Sequence, residues 1–231
     1  MKKEVIVSSE IDSEILKNIE NLGVKVYKTK NNKNLLSPLQ AHPDMLIHIL
    51  PNGNIVADRD NYDYYKKLWP DRIVFKSEKS LNAKYPQDIS LNGVAFKNYF
   101  IHNLEHTDKT LYEYYKNKGY DLINVKQGYT KCNITLGKNV LITSDSDIYN
   151  KLNNKVKILL IDHKQIILKG FNYGFIGGAS GYFNDKIYFT GNLKKHSSFN
   201  KIIKFLNENN EEYDFLSKKE IEDFGSILKI T

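Results

Sequence analysis

Five short apolar runs, each ending in a polar residue, set the rhythm of this chain: "EVIVSSE" (4–10), "NIVADRD" (54–60), "NYFIHN" (98–103), "NVLITSD" (139–145) and "KIYFTGN" (186–192). After each comes a segment with apolar residues at i, i+3 and i+4 and Ser, Asp or Asn near its start: "DSEILKNIENLG", "NYDYYKKLW", "DKTLYEYYKNKG", "SDIYNKLNN" and "SSFNKIIKFLNENN". That spacing predicts an amphipathic helix with a polar N-cap. Gly23 and Gly119 are C-cap candidates. A second apolar run follows each helix ("VKVYKT", "RIVFKS", "LINVKQ", "VKILLID", "YDFLSK"), then a loop and a third ("HPDMLIHIL", "PQDISLNGVAF", "YTKCNITL", "GGASGYF", "EDFGSILKI"). Turn residues close four of the third runs, as "PNGN", "FKN", "GKN" and "FNDK". The pattern is a β-α-β-β unit repeated five times, with approximate units 4–53, 54–97, 98–138, 139–185 and 186–231 of one domain spanning 1–231. Five units without distinct end caps predict a closed ring rather than an open solenoid. Pairing of "GSILKIT" with "KKEVIV" would close it and protect the sheet edges. The expected fold class is α/β, a five-bladed α/β propeller with pseudo-fivefold symmetry around a central channel.

The third runs place polar residues at corresponding points. Asp44, Asp88 and Cys132 follow one another at intervals of 44 residues, Ser180 after 48 more and Asp223 after another 43. If the third runs begin at the channel, these side chains face it. Carboxylates converging on one axis repel one another and raise a pKa unless a cation lies between them, so Asp44, Asp88 and Asp223 predict a small cationic ligand. Strand alternation puts Cys132, Ile134 and Leu136 on one face and Lys131 on the other. Cys132 reads either as a small buried filler or as a nucleophile, which needs a cation or imidazole to lower its pKa. His42 is held extended by Pro43 and is a candidate acid/base. The glycine-dense "GFIGGASGYF" lacks the spacing of a dinucleotide or phosphate loop; it reads as a close-approach loop that presents Ser180 to a ligand. His48, His102, His106, His163 and His196 show no metal-ligand spacing and read as surface or strand-end residues.

Composition sharpens this only slightly. The 231 residues are 41 % hydrophobic and 26 % charged, which fits an ordinary globular chain. One cysteine rules out a disulfide framework and a multi-cysteine metal site; with no histidine pair or nucleotide loop either, neither metal nor cofactor is expected. The opening "MKKEVIVSSE" is too short in apolar residues for a signal peptide, and no run is long enough to span a bilayer; a reducing, cytoplasmic setting is expected. The net charge of +7 comes from scattered lysines, which leaves nucleic acid or a ribosome open as a partner.

The repeat order and these residues resemble the pentein fold, the five-bladed propeller of guanidino-modifying enzymes: arginine deiminases, dimethylarginine dimethylaminohydrolases, amidinotransferases and agmatine deiminases. Within it the chain looks similar to a bacterial, clostridial-type branch of unknown function. In those enzymes a cysteine attacks the guanidinium carbon, a histidine serves as acid/base and carboxylates hold the cation. Aligned in order, "HPDM" supplies Asp44 as a guanidinium-binding carboxylate and "YPQDIS" supplies Asp88, while the histidine position falls in "YTKCNI" and the cysteine position near Gly225, neither of which carries the expected residue. A register rotated by two blades runs from Glu222 and Asp223 through His42 and Asp44, then Gln87 and Asp88, to Cys132. What the resemblance implies is an amidine hydrolase or transferase with Cys132 and His42 as catalytic pair and Asp44, Asp88, Asp223, Gln87 and Ser180 around the ligand. A non-catalytic binding module, like the ribosome anti-association factors of this fold, is the alternative.

Overall fold

In the computed structural model, which describes residues 3–230, the five apolar runs become the middle strands of five three-stranded sheets. They are buried on both faces, which is why they read as continuous rather than alternating. In chain order, β1 (Glu4–Val7), α1 (Ser13–Asn21) and β2 (Lys25–Lys28) precede a one-turn helix, α2 (Pro43–Leu46), that runs directly into β3 (Ile47–Ile49). Next come β4 (Ile55–Ala57), α3 (Tyr62–Leu68), β5 (Val74–Lys76), β6 (Val94–Phe96), β7 (Tyr99–His102), α4 (Lys109–Asn117) and β8 (Asp121–Asn124). A second one-turn helix, α5 (Thr130–Asn133), leads into β9 (Ile134–Leu136), followed by β10 (Val140–Thr143), α6 (Ser146–Leu152) and β11 (Lys157–Leu160). The chain ends with β12 (Ser180–Phe183), β13 (Lys186–Phe189), α7 (Phe199–Glu208), β14 (Tyr213–Phe215) and β15 (Leu228–Ile230).

Local chemistry explains the helices. Asp12, Asp108 and Asp145 accept hydrogen bonds from Glu14, Thr110 and Ile148 N–H at the starts of α1, α4 and α6. Gly23 and Gly119 follow α1 and α4 with φ near +73°, the left-handed conformation of a glycine C′ residue.

Each middle strand pairs parallel with the strand after its helix and antiparallel with the strand before it, giving β3-β4-β5, β6-β7-β8, β9-β10-β11 and β12-β13-β14. The first sheet is completed from the far end of the chain: β15 pairs antiparallel with β1, Val5 opposite Lys229. The ring therefore closes as the pattern predicts. The parallel pairing exposes a charged outer edge in each sheet, as in "KVYK" of β2, where lysine discourages further strand addition. The third strands β3, β6, β9, β12 and β15 surround the axis; Gly181 of β12 bridges to Ile227 beside β15.

Among the described residues, no helix is long and apolar enough to cross a membrane. Nor does any group of three or more His, Cys, Asp or Glu side chains there have the arrangement of a metal site.

Three of the histidines read as surface or strand-end residues, His48, His102 and His196, are buried, and His102 does end β7. His48 lies between Leu91 O (3.3 Å) and Tyr115 Oη (2.7 Å), and burial pushes its pKa down to about 4. His102 sits between Thr107 Oγ1 and Gly128 O, and burial takes its pKa to about 3. A depressed histidine pKa contributes stability that is complete above the unfolded value and is lost as pH falls toward the folded one. The stability gap between wild type and His48→Asn should therefore narrow by about 2.4 kcal/mol from pH 7 to pH 4.5. Urea unfolding at the two pH values measures it; a constant gap would show that burial leaves the His48 pKa at its unfolded value.

Candidate functional site

The starts of the third strands lie at the carboxyl ends of the parallel pairs, because Ile47 stands opposite Ala57 and Ile134 opposite Thr143. Ligands in open α/β sheets collect at that end. Here it is packed shut. Cys132 joins an apolar cluster with Leu35, Leu39, Met45 and Leu168, against which Tyr129 and Phe175 also pack. Tyr129 and Phe175 stack with centroids 6.1 Å apart, and Gly170 of one covering loop lies against Pro38 of the other.

The register of the third strands differs from the one expected. Residues 130–133 form a helical turn rather than a strand, so two-residue alternation does not apply to them. The turn α5 matches α2: Asp44 and Lys131 both stand three residues before the first strand residue, and Met45 matches Cys132. Lys131 thus points to the axis, not away from it.

What converges there is a buried polar group. Lys131 is 8 % exposed, Asp44 1 % and Asp223 3 %. The Lys131 ammonium donates to Ser226 Oγ at 2.9 Å, and Ser226 Oγ donates to Asp44 Oδ2 at 2.6 Å. Two longer contacts, 3.5 Å each, join Lys131 Nζ to Ile134 O and Gly177 O. Asp44 Oδ1 has no N–H or O–H partner. Asp223 accepts from Phe175 N–H and Gly225 N–H, both at 2.9 Å, and its Oδ1 lies 3.9 Å from His42 Nδ1. Asn92 ties the floor together: its amide donates to Asp44 O (2.8 Å) and toward Cys132 Sγ (3.1 Å), and its oxygen accepts from Lys131 N–H (2.8 Å).

The pKa directions follow from burial first. Burial raises Asp44, reinforced by Asp223 and opposed by His42 and Lys131. It raises Asp223 to about 6 against its two backbone donors. It lowers Lys131, which Asp44 and Cys132 oppose, and it lowers His42. The Cys132 thiol is pushed well up by burial, and then further by Asp44 and Asp223.

Of the remaining sequence candidates, Asp88 and Gln87 lie apart, whereas Ser180 lines the same cavity as Asp44 and Lys131. Asp88 accepts from Tyr129 Oη at 2.5 Å. Gln87 sits at an outer cleft near Ser80 and Asn82. Ser180 bonds Thr135 Oγ1 at 2.9 Å, farther along the axis. Lys131, Asn92 and Ser226 were missed. Asn92 and Ser226 stand two residues before their third strands, in the "LNG" and "FGS" turns; a register counted from the strand starts would have found them.

A family model describing a family of unknown function, DUF6873, matches residues 6–228. The chain belongs to that family. No curated protein matches it in sequence. In structure, this DUF6873 member is similar to an amidinotransferase of saxitoxin biosynthesis from Microseira wollei, at 11 % identity and TM-score 0.59, covering 100 % of this chain and 94 % of that one. It is similar to a dimethylarginine dimethylaminohydrolase determined as an adduct with S-methyl-L-thiocitrulline, at 9 % identity and TM-score 0.56, over 94 % and 93 % of the two chains. The agmatine deiminase of C. jejuni gives 10 % identity and TM-score 0.54 over 94 % and 88 %. The DUF6873 chain therefore has the pentein fold, the fold of guanidino-modifying enzymes.

Proposed function

We propose that this protein is a non-covalent small-molecule-binding pentein, in which the channel chemistry of a guanidino-modifying enzyme is absent. The observation that supports this most directly is the cation already at the axis: the chain's own Lys131, which reaches Asp44 through Ser226 and whose charge acts on both Asp44 and Asp223. A guanidinium would have to displace that ammonium before Asp44 could hold it. The thiol argues the same way. A nucleophilic cysteine needs a lowered pKa, whereas Cys132 is buried among apolar side chains beside two carboxylates. His42 is directed at Asp223.

Arginine, agmatine and methylated arginines should yield neither citrulline nor ammonia beyond the buffer rate. Iodoacetamide should alkylate native Cys132 on the order of 100-fold more slowly than the urea-unfolded chain at pH 8. Turnover that disappears in Cys132→Ser would overturn the reading and establish the hydrolase alternative, with Cys132 as nucleophile, His42 as acid/base and a cationic ligand held by Asp44.

A further inference from the structure

Among the described residues, a route to the axis lies on the face opposite the closed carboxyl end. A cavity of about 640 Å³ opens among the β-hairpins and narrows inward to Asp44, Lys131 and Ser180. Ile47, Val94, Leu136, Tyr182 and Leu228, one from each third strand, line it. Its mouth carries the exposed residues Lys97, Lys138 and Lys229 with Asp185; Asp185 lies 3.8 Å from Lys3. Apolar walls with a few converging polar groups are the usual make-up of a ligand site.

We propose that this funnel binds an elongated amphipathic ligand with a neutral amide-type head, an apolar stem and an anionic tail. The proposal rests on the non-covalent reading of the channel given above. The head follows from the two groups that end the funnel. Asp44 Oδ1 is a buried acceptor without an N–H or O–H partner; the Cys132 thiol also bonds the Asp44 carboxylate, but S–H is a weak donor, so an N–H would satisfy it better. Beside it, Lys131 has one short bond and two at 3.5 Å, so its ammonium has donor capacity to improve. One carboxylate and one ammonium balance, and Asp223, satisfied by two backbone donors, is not part of the lining. A cationic head would meet Lys131, an anionic head would meet Asp44, and either would add an unbalanced charge to a buried place. A primary amide or ureido group offers N–H to Asp44 and C=O to Lys131 with no net charge.

The stem follows from the walls. From Ile47 to Leu50 the lining strand spans about 10 Å, which asks for a chain of several methylenes. The tail follows from the mouth, where three lysines face one aspartate already beside Lys3.

The test is calorimetric titration of the intact protein with suberic acid monoamide, suberate and ω-guanidino-octanoate. The monoamide should bind at one site per chain, at least tenfold more tightly than either comparator. Leu136→Trp, at a half-buried lining position, should abolish binding while the melting temperature and circular dichroism confirm a folded chain. Changing Lys97, Lys138 and Lys229 together to Gln, all exposed, should weaken binding about tenfold and flatten its salt dependence. No binding of the monoamide, binding that survives Leu136→Trp, or tighter binding of either comparator would overturn the proposal. Guanidine turnover would instead strike at the non-covalent reading, so the two failures are separable.

Discussion

Replacing Lys131 by methionine should destabilise the protein by about 3–5 kcal/mol at pH 7.5, the cost of stripping a buried charge of its partner. The methionine stem is close in volume to that of lysine, so the loss is electrostatic rather than a cavity. Asp44 and Asp223 then lose the ammonium whose charge acts on both, and Ser226 Oγ loses its donor. Both carboxyl groups already bind protons more readily folded than unfolded, Asp223 with a pKa near 6. Removal of the ammonium pushes both further up. A raised carboxyl pKa contributes stability that is full below the unfolded value, near 4, and is lost as pH rises through the folded value. The deficit of Lys131→Met should accordingly shrink between pH 7.5 and pH 5. Adding Asp44→Asn should recover part of it at pH 7.5, and the double-mutant cycle gives the coupling. Equal stability of Lys131→Met and wild type at both pH values would mean that no charge is balanced at the axis.

Gly177→Ala should cost about 3 kcal/mol or more, at the upper end of overpacking effects. A Cβ at Gly177 would come within 2.4 Å of Lys131 O, 2.5 Å of Ile134 O and 2.6 Å of Cys132 O. These are backbone atoms of α5 and the start of β9, so no side chain can rotate out of the way. The turn that aims Lys131 at the axis would have to shift. Gly23→Ala is the matching control: it carries φ of +73° but has nothing within 4 Å. It should lose only about 1–2 kcal/mol, the cost of left-handed backbone for a residue with a Cβ. Guanidinium unfolding of both variants decides the matter; a Gly177→Ala loss no larger than that of Gly23→Ala would place the cost in the backbone rather than in crowding.

The strands, helices and ring closure were legible because each depends on local pattern: buried-strand runs, helical spacing, Asp caps, glycines after helices. The site was legible only in part. Asp44, Asp223 and Cys132 reach the axis region, but the residue that organises them, Lys131, was assigned to the opposite face. Four residues of one-turn helix in front of β9 carry no amphipathic period, and "TKCN" aligns as easily with a strand as with a turn. A buried lysine is also rare enough that composition argues against it. Asp88 illustrates the converse. Its even spacing from Asp44 and Cys132 is a coincidence of loop lengths, and its carboxylate serves Tyr129.

The pairing of β15 with β1 also has a consequence in time. Asp44 N–H donates to Gly225 O, and Ser226 is 182 residues beyond Asp44. As the chain leaves the ribosome, the four sheets that use neighbouring segments can form one after another. The axial group cannot: until residue 226 has emerged, Asp44 has neither its serine nor, through it, its lysine. Gly225 and Ser226, made long after Asp44, supply the link through which Lys131 reaches it, so a chain that stops short of them leaves Asp44 without that link.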